Sequence, residues 1–295
     1  IDGAAEDEWT YKQNTSAFEN YELVPRFLVD VENIDTSATV LGQKIDWPFI
    51  CSPTGYNRLF HHDGEIGAAR AADRTGTIFC LSTISTTTIE DVAGASDGPK
   101  VFQIYVLRDR GLSQEYIDRC KEADYSALCL TVDVPVNGRR ERDLLKRYKT
   151  TSRKTAAGPE YQMRFSWKDV NKIKNKFNIP IILKGIATEE DAKICVDEGV
   201  DVIYISNHGG RQLDYGIGGA DLINPISKVV KNKSKIFFDG GVLRGSDIVK
   251  AIALGADCVG IGRLQCYAAA TNGRNGLNKM IDILQNEILV CMRLL

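Results

Sequence analysis

The chain has 295 residues, with 37 basic against 39 acidic side chains for a net charge of −2, 43% hydrophobic and 26% charged. Near-cancelling charge argues against nucleic acid or anionic membrane as the main partner, since both select for excess Lys and Arg. No apolar run is long enough to span a bilayer, no signal-peptide pattern is seen, and the length suits one (β/α)₈ barrel, one large doubly wound domain or two small ones.

In chain order, an acidic, Ala-rich stretch follows Ile1, and the first predicted strand is Phe49–Cys51. Glu65–Ala72 has helical period, Ile78–Leu81 and Val101–Val106 read as strands, Gln114–Ala123 as a helix, and Ala127–Val132 as the fourth strand. The connection from Asp133 to Asn178 is long. It holds Asn137-Gly138-Arg139-Arg140-Glu141-Arg142 and a basic, Thr-rich stretch from Lys146 to Ala157, and only Ser166–Phe177 looks helical. Such a connection reads as a lid or mobile segment. The strand Ile179–Leu183, the helix Glu189–Glu198 opened by Thr188, and the strands Val202–Ile205 and Lys235–Phe238 follow. The helix Gly245–Leu254, opened by Ser246-Asp247, and an eighth strand, Cys258–Ile261, complete the series. Near-continuous apolar strands alternating with helices mean a parallel α/β fold, and eight units closing on themselves make a (β/α)₈ TIM barrel. The whole of 1–295 is expected to be one barrel domain, a core piece of something longer because it starts without methionine and stops mid-pattern.

Eight cysteines show no C-x-x-C spacing, and Cys51, Cys80, Cys129, Cys258 and Cys266 sit in or beside apolar strand-like segments with the others in helix-like ones, so they read as free, buried thiols of a reducing, intracellular compartment. Three histidines make a His-rich metal site a poor expectation, and His61-His62 reads as a solvated or capping pair.

Chemistry collects at the C-terminal ends of barrel strands. Here all eight ends are polar or Gly-rich: Ser52-Pro53-Thr54-Gly55, Ser82-Thr83, Gln103 with Tyr105, Thr131 with Asp133, Lys184-Gly185, Ser206-Asn207-His208-Gly209-Gly210-Arg211, Asp239-Gly240-Gly241 and Gly262-Arg263. The last two, each before a helix start, suit a phosphate: glycines admit backbone N–H groups, the helix adds its dipole and the arginine its charge. Lys184, His208, Arg211 and Arg140 form a second set. Lys184 suits stabilisation of a developing anion, or a buried ion pair with a carboxylate such as Asp133. An arginine suits a carboxylate clamp, and a histidine a general base.

The stretch Ser206-Asn207-His208-Gly209-Gly210-Arg211-Gln212-Leu213-Asp214, with Asp239-Gly240-Gly241 and Gly262-Arg263, resembles the FMN-dependent 2-hydroxy acid oxidase and dehydrogenase family. That family includes glycolate oxidase, lactate oxidase, flavocytochrome b2 and mandelate dehydrogenase. The resemblance implies FMN at the C-terminal mouth of the barrel, and oxidation of an L-2-hydroxy acid to the 2-oxo acid with hydride transfer to flavin N5. It makes His208 the base, oriented by Asp133, with Arg140 and Arg211 on the substrate carboxylate and Tyr105 bonded to the substrate. Lys184 lies beside flavin N1 and the C2 carbonyl. Pro53, Thr54, Gly55, Ser82, Gln103 and Thr131 surround the isoalloxazine and ribityl. Ser206, Asp239, Gly240, Gly241, Gly262 and Arg263 supply the remaining flavin and phosphate contacts, with Arg244 near the phosphate.

Four departures bear on this. A second active-site tyrosine of the family would fall immediately upstream of Ile1, and the connection after the fourth strand, long as it is, is much shorter than the family's. Leu243 replaces the arginine usual after Asp-Gly-Gly-Val, and Ile84 replaces the tryptophan of glycolate oxidases, opening an apolar pocket. Oxygen, a quinone or a cytochrome would take the electrons; Gly55 and the stretch around Arg140 lean toward the mandelate dehydrogenase branch. The resemblance also implies a homo-oligomer, a tetramer; the cysteine usage points to the cytoplasm, with a peroxisomal or membrane-associated place as alternatives. An FMN barrel isomerase of phosphorylated substrates and an inactive family member are the competing readings.

Overall fold

The computed structural model describes residues 1–106, 109–147 and 162–295. A short antiparallel hairpin, β1 (Ala38–Val40) and β2 (Gln43–Ile45), comes first. Eight parallel strands then close into a barrel in sequence order: β3 (Phe49–Cys51), β4 (Ile78–Ser82), β5 (Lys100–Ile104), β6 (Ala127–Thr131), β7 (Ile181–Ile186), β8 (Val202–Ile205), β9 (Lys235–Asp239) and β10 (Cys258–Ile261), which pairs with β3. The eight predicted strands are these eight. The predicted run from Ile179 starts two residues late because Pro180 has no N–H for the ladder; its carbonyl instead accepts from Leu128 N at 2.9 Å.

The hairpin, not expected from the sequence, closes the N-terminal end of the barrel. Its strands are three residues long and half polar, too short to show a period. Val40 and Ile45 nevertheless pack into the interior cluster with Ile50, Ile78, Val101, Ile182 and Phe237. A second cluster fills the space between barrel and helices.

Among the helices, α1 (Trp9–Ser16) lies over the opposite mouth. The others that matter to the site are α2 (Gly64–Arg74), α3 (Ile89–Ala93), α4 (Arg110–Glu122), α5 (Glu141–Leu145), α6 (Trp167–Phe177), α7 (Glu189–Asp197), α8 (Gly219–Val230), α9 (Gly245–Leu254) and α10 (Arg263–Leu294), the last broken at Asn272 and Gly273. Thr188 caps as expected, accepting from Asp191 N at 3.1 Å; at α9 the N-cap residue is Arg244 and Ser246 lies inside the helix, while Asp247 accepts from Leu243 N and Arg244 N, both at 3.0 Å. The long connection holds α5 as well as the expected α6, a correction, and most of its basic stretch lies outside the described residues. All eight cysteines are free, seven of them buried. Burial pushes the thiols of Cys51 and Cys195 up to about 12, so they pack as inert hydrophobes. His62 is exposed, its ring centroid 4.1 Å from that of the half-buried His61 and tilted by 34°, and His61 Nδ1 accepts from Asp63 N at 3.2 Å. Among the described residues no helix is long and apolar enough to cross a membrane.

Packing of α1 on the mouth explains one glycine pair. Gly240 and Gly241 have φ of 129° and 77°, and a Cβ at Gly241 would sit 2.0 Å from the Asn14 carbonyl oxygen. Gly241→Ala therefore combines left-handed strain with overpacking against backbone. It should lower unfolding free energy by about 2–4 kcal/mol, read from denaturant melts beside wild type.

Candidate active site

Parallel strands put all eight C-terminal ends on one rim, and the polar ends named above meet there. Lys184, near the end of β7, is buried. Its ammonium lies 2.9 Å from Asp239 Oδ2 at the end of β9 and donates to Ser206 Oγ at 2.6 Å; Ser206 Oγ donates to Asp239 Oδ1 at 2.5 Å. The Tyr204 ring lies 4.8 Å from the same nitrogen. Burial alone would lower the lysine's pKa, but Asp239 and Asp133 outweigh it and hold it above its ordinary value. The contact carboxylate is thus Asp239, not the Asp133 suggested by the sequence; Asp133 acts on Lys184 only through space.

Asp133 is committed elsewhere, with Oδ1 2.9 Å from His208 Nδ1. A carboxylate can only accept, so Nδ1 carries a hydrogen, and in the neutral imidazole the lone pair is on Nε2. Burial pushes the Asp133 carboxyl up, yet His208 and then Lys184 more than offset this and hold it below its ordinary 3.8. The His-Gly-Gly sequence has a steric reason. Residues 208, 209 and 210 have φ of 55°, 63° and 72° in succession, and a Cβ at Gly210 would lie 2.7 Å from Tyr11 N. Only the histidine bears left-handed strain, at a cost of order 1 kcal/mol.

The same loop carries Arg211, whose Nη1 donates to the Gly3 carbonyl at 2.6 Å. Arg140 arrives from the loop after β6, and its Nη2 lies 3.4 Å from Gln212 Oε1. Tyr105 follows β5 half-buried on this rim, its N–H donating to Thr83 Oγ1 at 3.0 Å. Ser82 Oγ donates to Gln103 Oε1 at 3.0 Å and Gln103 Nε2 to Thr131 Oγ1 at 2.9 Å, a buried polar chain across β4, β5 and β6. Pro53, Thr54 and Gly55 follow β3, where Gln265 of α10 holds the Ser52 carbonyl at 2.6 Å. A Cβ at Gly55 would meet Ile84 Cδ1 at 2.6 Å, so Ile84, itself 38% exposed, covers the space that glycine leaves.

At the other end of the mouth, Arg263 donates to the carbonyls of Gly209 and Ile1 at 2.9 Å and of Gly3 at 3.0 Å. Arg244, expected near the phosphate, instead has Nη1 2.9 Å from Glu287. With Leu243 it lines a cavity of about 540 Å³ against Leu264, Tyr267, Met280 and Glu287 of α10.

Three positioning groups were not singled out from the sequence. Glu65 of α2 is fully buried and accepts from Asn57 N, Thr86 N, Thr86 Oγ1 and Thr87 Oγ1, fixing the loops that bear Gly55 and Ile84. Asp214 accepts from the backbone N–H groups of Asp7, Trp9 and Thr10, capping α1 from a distant loop. Gln212 joins the two arginine-bearing loops. A glutamate on the Gly/Ala face of α2 was one available signal; Gln212 and Asp214 stand in the motif already quoted, but their partners are about 75 and 200 residues away in sequence.

The family model for FMN-dependent dehydrogenases matches residues 1–295. The chain belongs to that family. It is an FMN-dependent oxidoreductase of the 2-hydroxy acid oxidase kind. Glycolate oxidase 3 of Arabidopsis thaliana is 38% identical over 98% of this chain and 85% of its own length. Among solved structures, a Pediococcus acidilactici protein described as a lactate oxidase superposes with a TM-score of 0.95 at 35% identity, covering 100% of this chain and 84% of its own. A mandelate oxidase variant with (S)-mandelic acid does so at 0.93 and 33%, over 99% and 87%.

The residues present suit FMN. A Cβ at Gly262, just before α10, would meet no atom within 4 Å, so this helix N-terminus opens on free space. Arg263 beside it is held by the carbonyls of Ile1, Gly209 and Gly3, neutral acceptors that leave its positive charge next to the helix N-terminus. Asp133 Oδ2 and Gln162 Oε1 are buried acceptors without a donor. Lys184 adds a buried cation on the same rim.

The depressed carboxyl of Asp133 has a pH consequence. Its stabilisation is present above the unfolded value of 3.8 and is lost as pH falls through the lower folded value. Melting temperature scanned from about pH 6 to about pH 3 should fall less steeply for Asp133→Asn than for wild type, because the variant has no such proton to take up.

Proposed function

We propose that this family member oxidises an L-2-hydroxy acid to the 2-oxo acid. The observation that carries the reading is the His208–Asp133 pair: Nδ1–H is held by a carboxylate at 2.9 Å, leaving Nε2 as the base, on the loop that carries Arg211. FMN, when bound, supplies the two-electron acceptor. Gly262 and Arg263 hold its phosphate, and Ser82, Gln103, Thr131 and Lys184 line its ring and chain. Arg140 and Arg211 bind the substrate carboxylate, a planar anion matched to guanidinium forks. His208 takes the hydroxyl proton at Nε2, and Asp133 stabilises the imidazolium that results. Tyr105 donates to the substrate oxygen. Lys184 keeps a fixed positive charge in a low-dielectric mouth, where it is worth more than in water.

Ile84 bears on the substrate. It is apolar, partly exposed and seated over Gly55, so it offers a wall to a side chain beyond Cα. Each methylene buried there contributes up to about 0.8 kcal/mol. Lactate and longer aliphatic or aromatic 2-hydroxy acids are therefore the preferred class over glycolate. The relatives carry names that span this range, from glycolate to mandelate.

Anaerobic mixing with a panel of 2-hydroxy acids, followed by flavin bleaching, tests the reaction and the substrate order together. His208→Gln should stay yellow yet bleach about 10²–10⁴-fold more slowly; a near wild-type rate would remove His208 as base. Arg211→Lys should lose about tenfold or more in kcat/KM, because an ammonium cannot reproduce a two-pronged contact. Ile84→Trp should move the preference toward glycolate, and an unchanged order would show that Ile84 does not line the pocket.

A further inference from the structure

Gln212 ties the two arginine-bearing loops together with both ends of its amide. A primary amide has two N–H donors and a carbonyl that can accept twice. Nε2 donates to the carbonyls of Asp133 at 3.1 Å and Val136 at 2.7 Å. Oε1 accepts from Gly138 N at 3.3 Å and Arg140 Nη2 at 3.4 Å. All four contacts fall on the segment 133–140, which lies between β6 and α5 and has no strand ladder or helix of its own. The two loops touch backbone to backbone: a Cβ at Gly138 would lie 2.4 Å from the Arg211 carbonyl oxygen and 2.6 Å from that of Gln212. One loop carries Asp133 and Arg140, the other His208 and Arg211.

We propose that Gln212 is a positioning residue, the clasp that sets Arg140 against Arg211 and Asp133 against His208 so that one carboxylate fits between the two guanidinium groups. This rests on the assignment of those arginines as the carboxylate clamp. Glutamate would keep the acceptor half and set a negative charge against Arg140; leucine keeps the volume and removes every bond.

The test uses FMN-loaded wild type, Gln212→Leu and Gln212→Glu, with oxalate as the probe, a dicarboxylate with no C–H to oxidise. Calorimetry reads oxalate affinity, steady-state kinetics read kcat and KM, and melting temperature and flavin content report folding. Gln212→Leu should bind oxalate about tenfold or more weakly and raise KM more than it lowers kcat, with flavin content kept. In Gln212→Glu the new carboxylate competes for Arg140. Its affinity deficit relative to wild type should shrink as pH falls from about 7 toward the ordinary glutamate range near 4. Should Gln212→Leu fail to load FMN, the glutamate variant carries the test through that pH dependence. Variants that bind oxalate as wild type does, or that melt earlier with oxalate affinity and KM unchanged, overturn the role of Gln212 alone. Wild type that neither binds oxalate nor is bleached by any 2-hydroxy acid sinks the clamp itself, and the proposal with it.

Discussion

A single ammonium group buried in the mouth of the barrel sets the terms for the rest of the site. Removing Lys184 from water costs several kcal/mol, and the cost is offset only by a carboxylate and hydroxyl in good geometry. Asp239 and Ser206 provide both, at 2.9 and 2.6 Å, which draws the ends of β7, β8 and β9 to one point. Ser206 is shared further, accepting from His208 N at 3.1 Å, so the loop that holds the imidazole starts from the same knot. Deleting Asp239 would leave the buried ammonium without its contact carboxylate, a loss of about 3–5 kcal/mol.

Around that knot the rim is held by groups acting across long stretches of chain. Glu65 brings together the loops after β3 and β4, and Asp214 caps α1, which covers the ends of β8 and β9. Asn14 of α1 and Asn207 exchange reciprocal amide bonds of 2.8 and 2.7 Å. Each is a polar group made safe to bury because its bonds are complete, so each rigidifies a loop that has no secondary structure of its own. The barrel supplies a stiff rim; these side chains decide where the loops lie on it.

Most of the architecture was legible from local pattern. Continuous apolar strands at Ile78–Leu81 or Val202–Ile205, with Ala-rich or capped helices between them, leave few alternatives to a parallel barrel, because each strand must be covered on both faces. The hairpin at 38–45 was not legible, since three-residue strands carry no period, and its apolar residues matter only as a floor to the barrel. The candidate site was legible only as a list: His208, Arg211, Lys184, Asp133 and Arg140 stand at or after strand ends, where polar residues need a reason. Their pairing was not. Lys184 could have met Asp133 as well as Asp239, and Arg244 stood one residue from where the family has its arginine, yet it turned to Glu287 on α10.

By itself, then, the sequence determined the barrel, the rim on which chemistry collects and the polar residues that stand along it, because periodicity and motif are properties of neighbouring residues. Tertiary structure alone decided which carboxylate neutralises Lys184, which nitrogen of His208 faces Asp133, why Gly241 must lack a side chain, and that Gln212 bridges the two arginine loops. Those outcomes depend on distances between residues tens to hundreds of positions apart. Such distances exist only after the strands have closed the barrel and brought eight separate ends to one mouth.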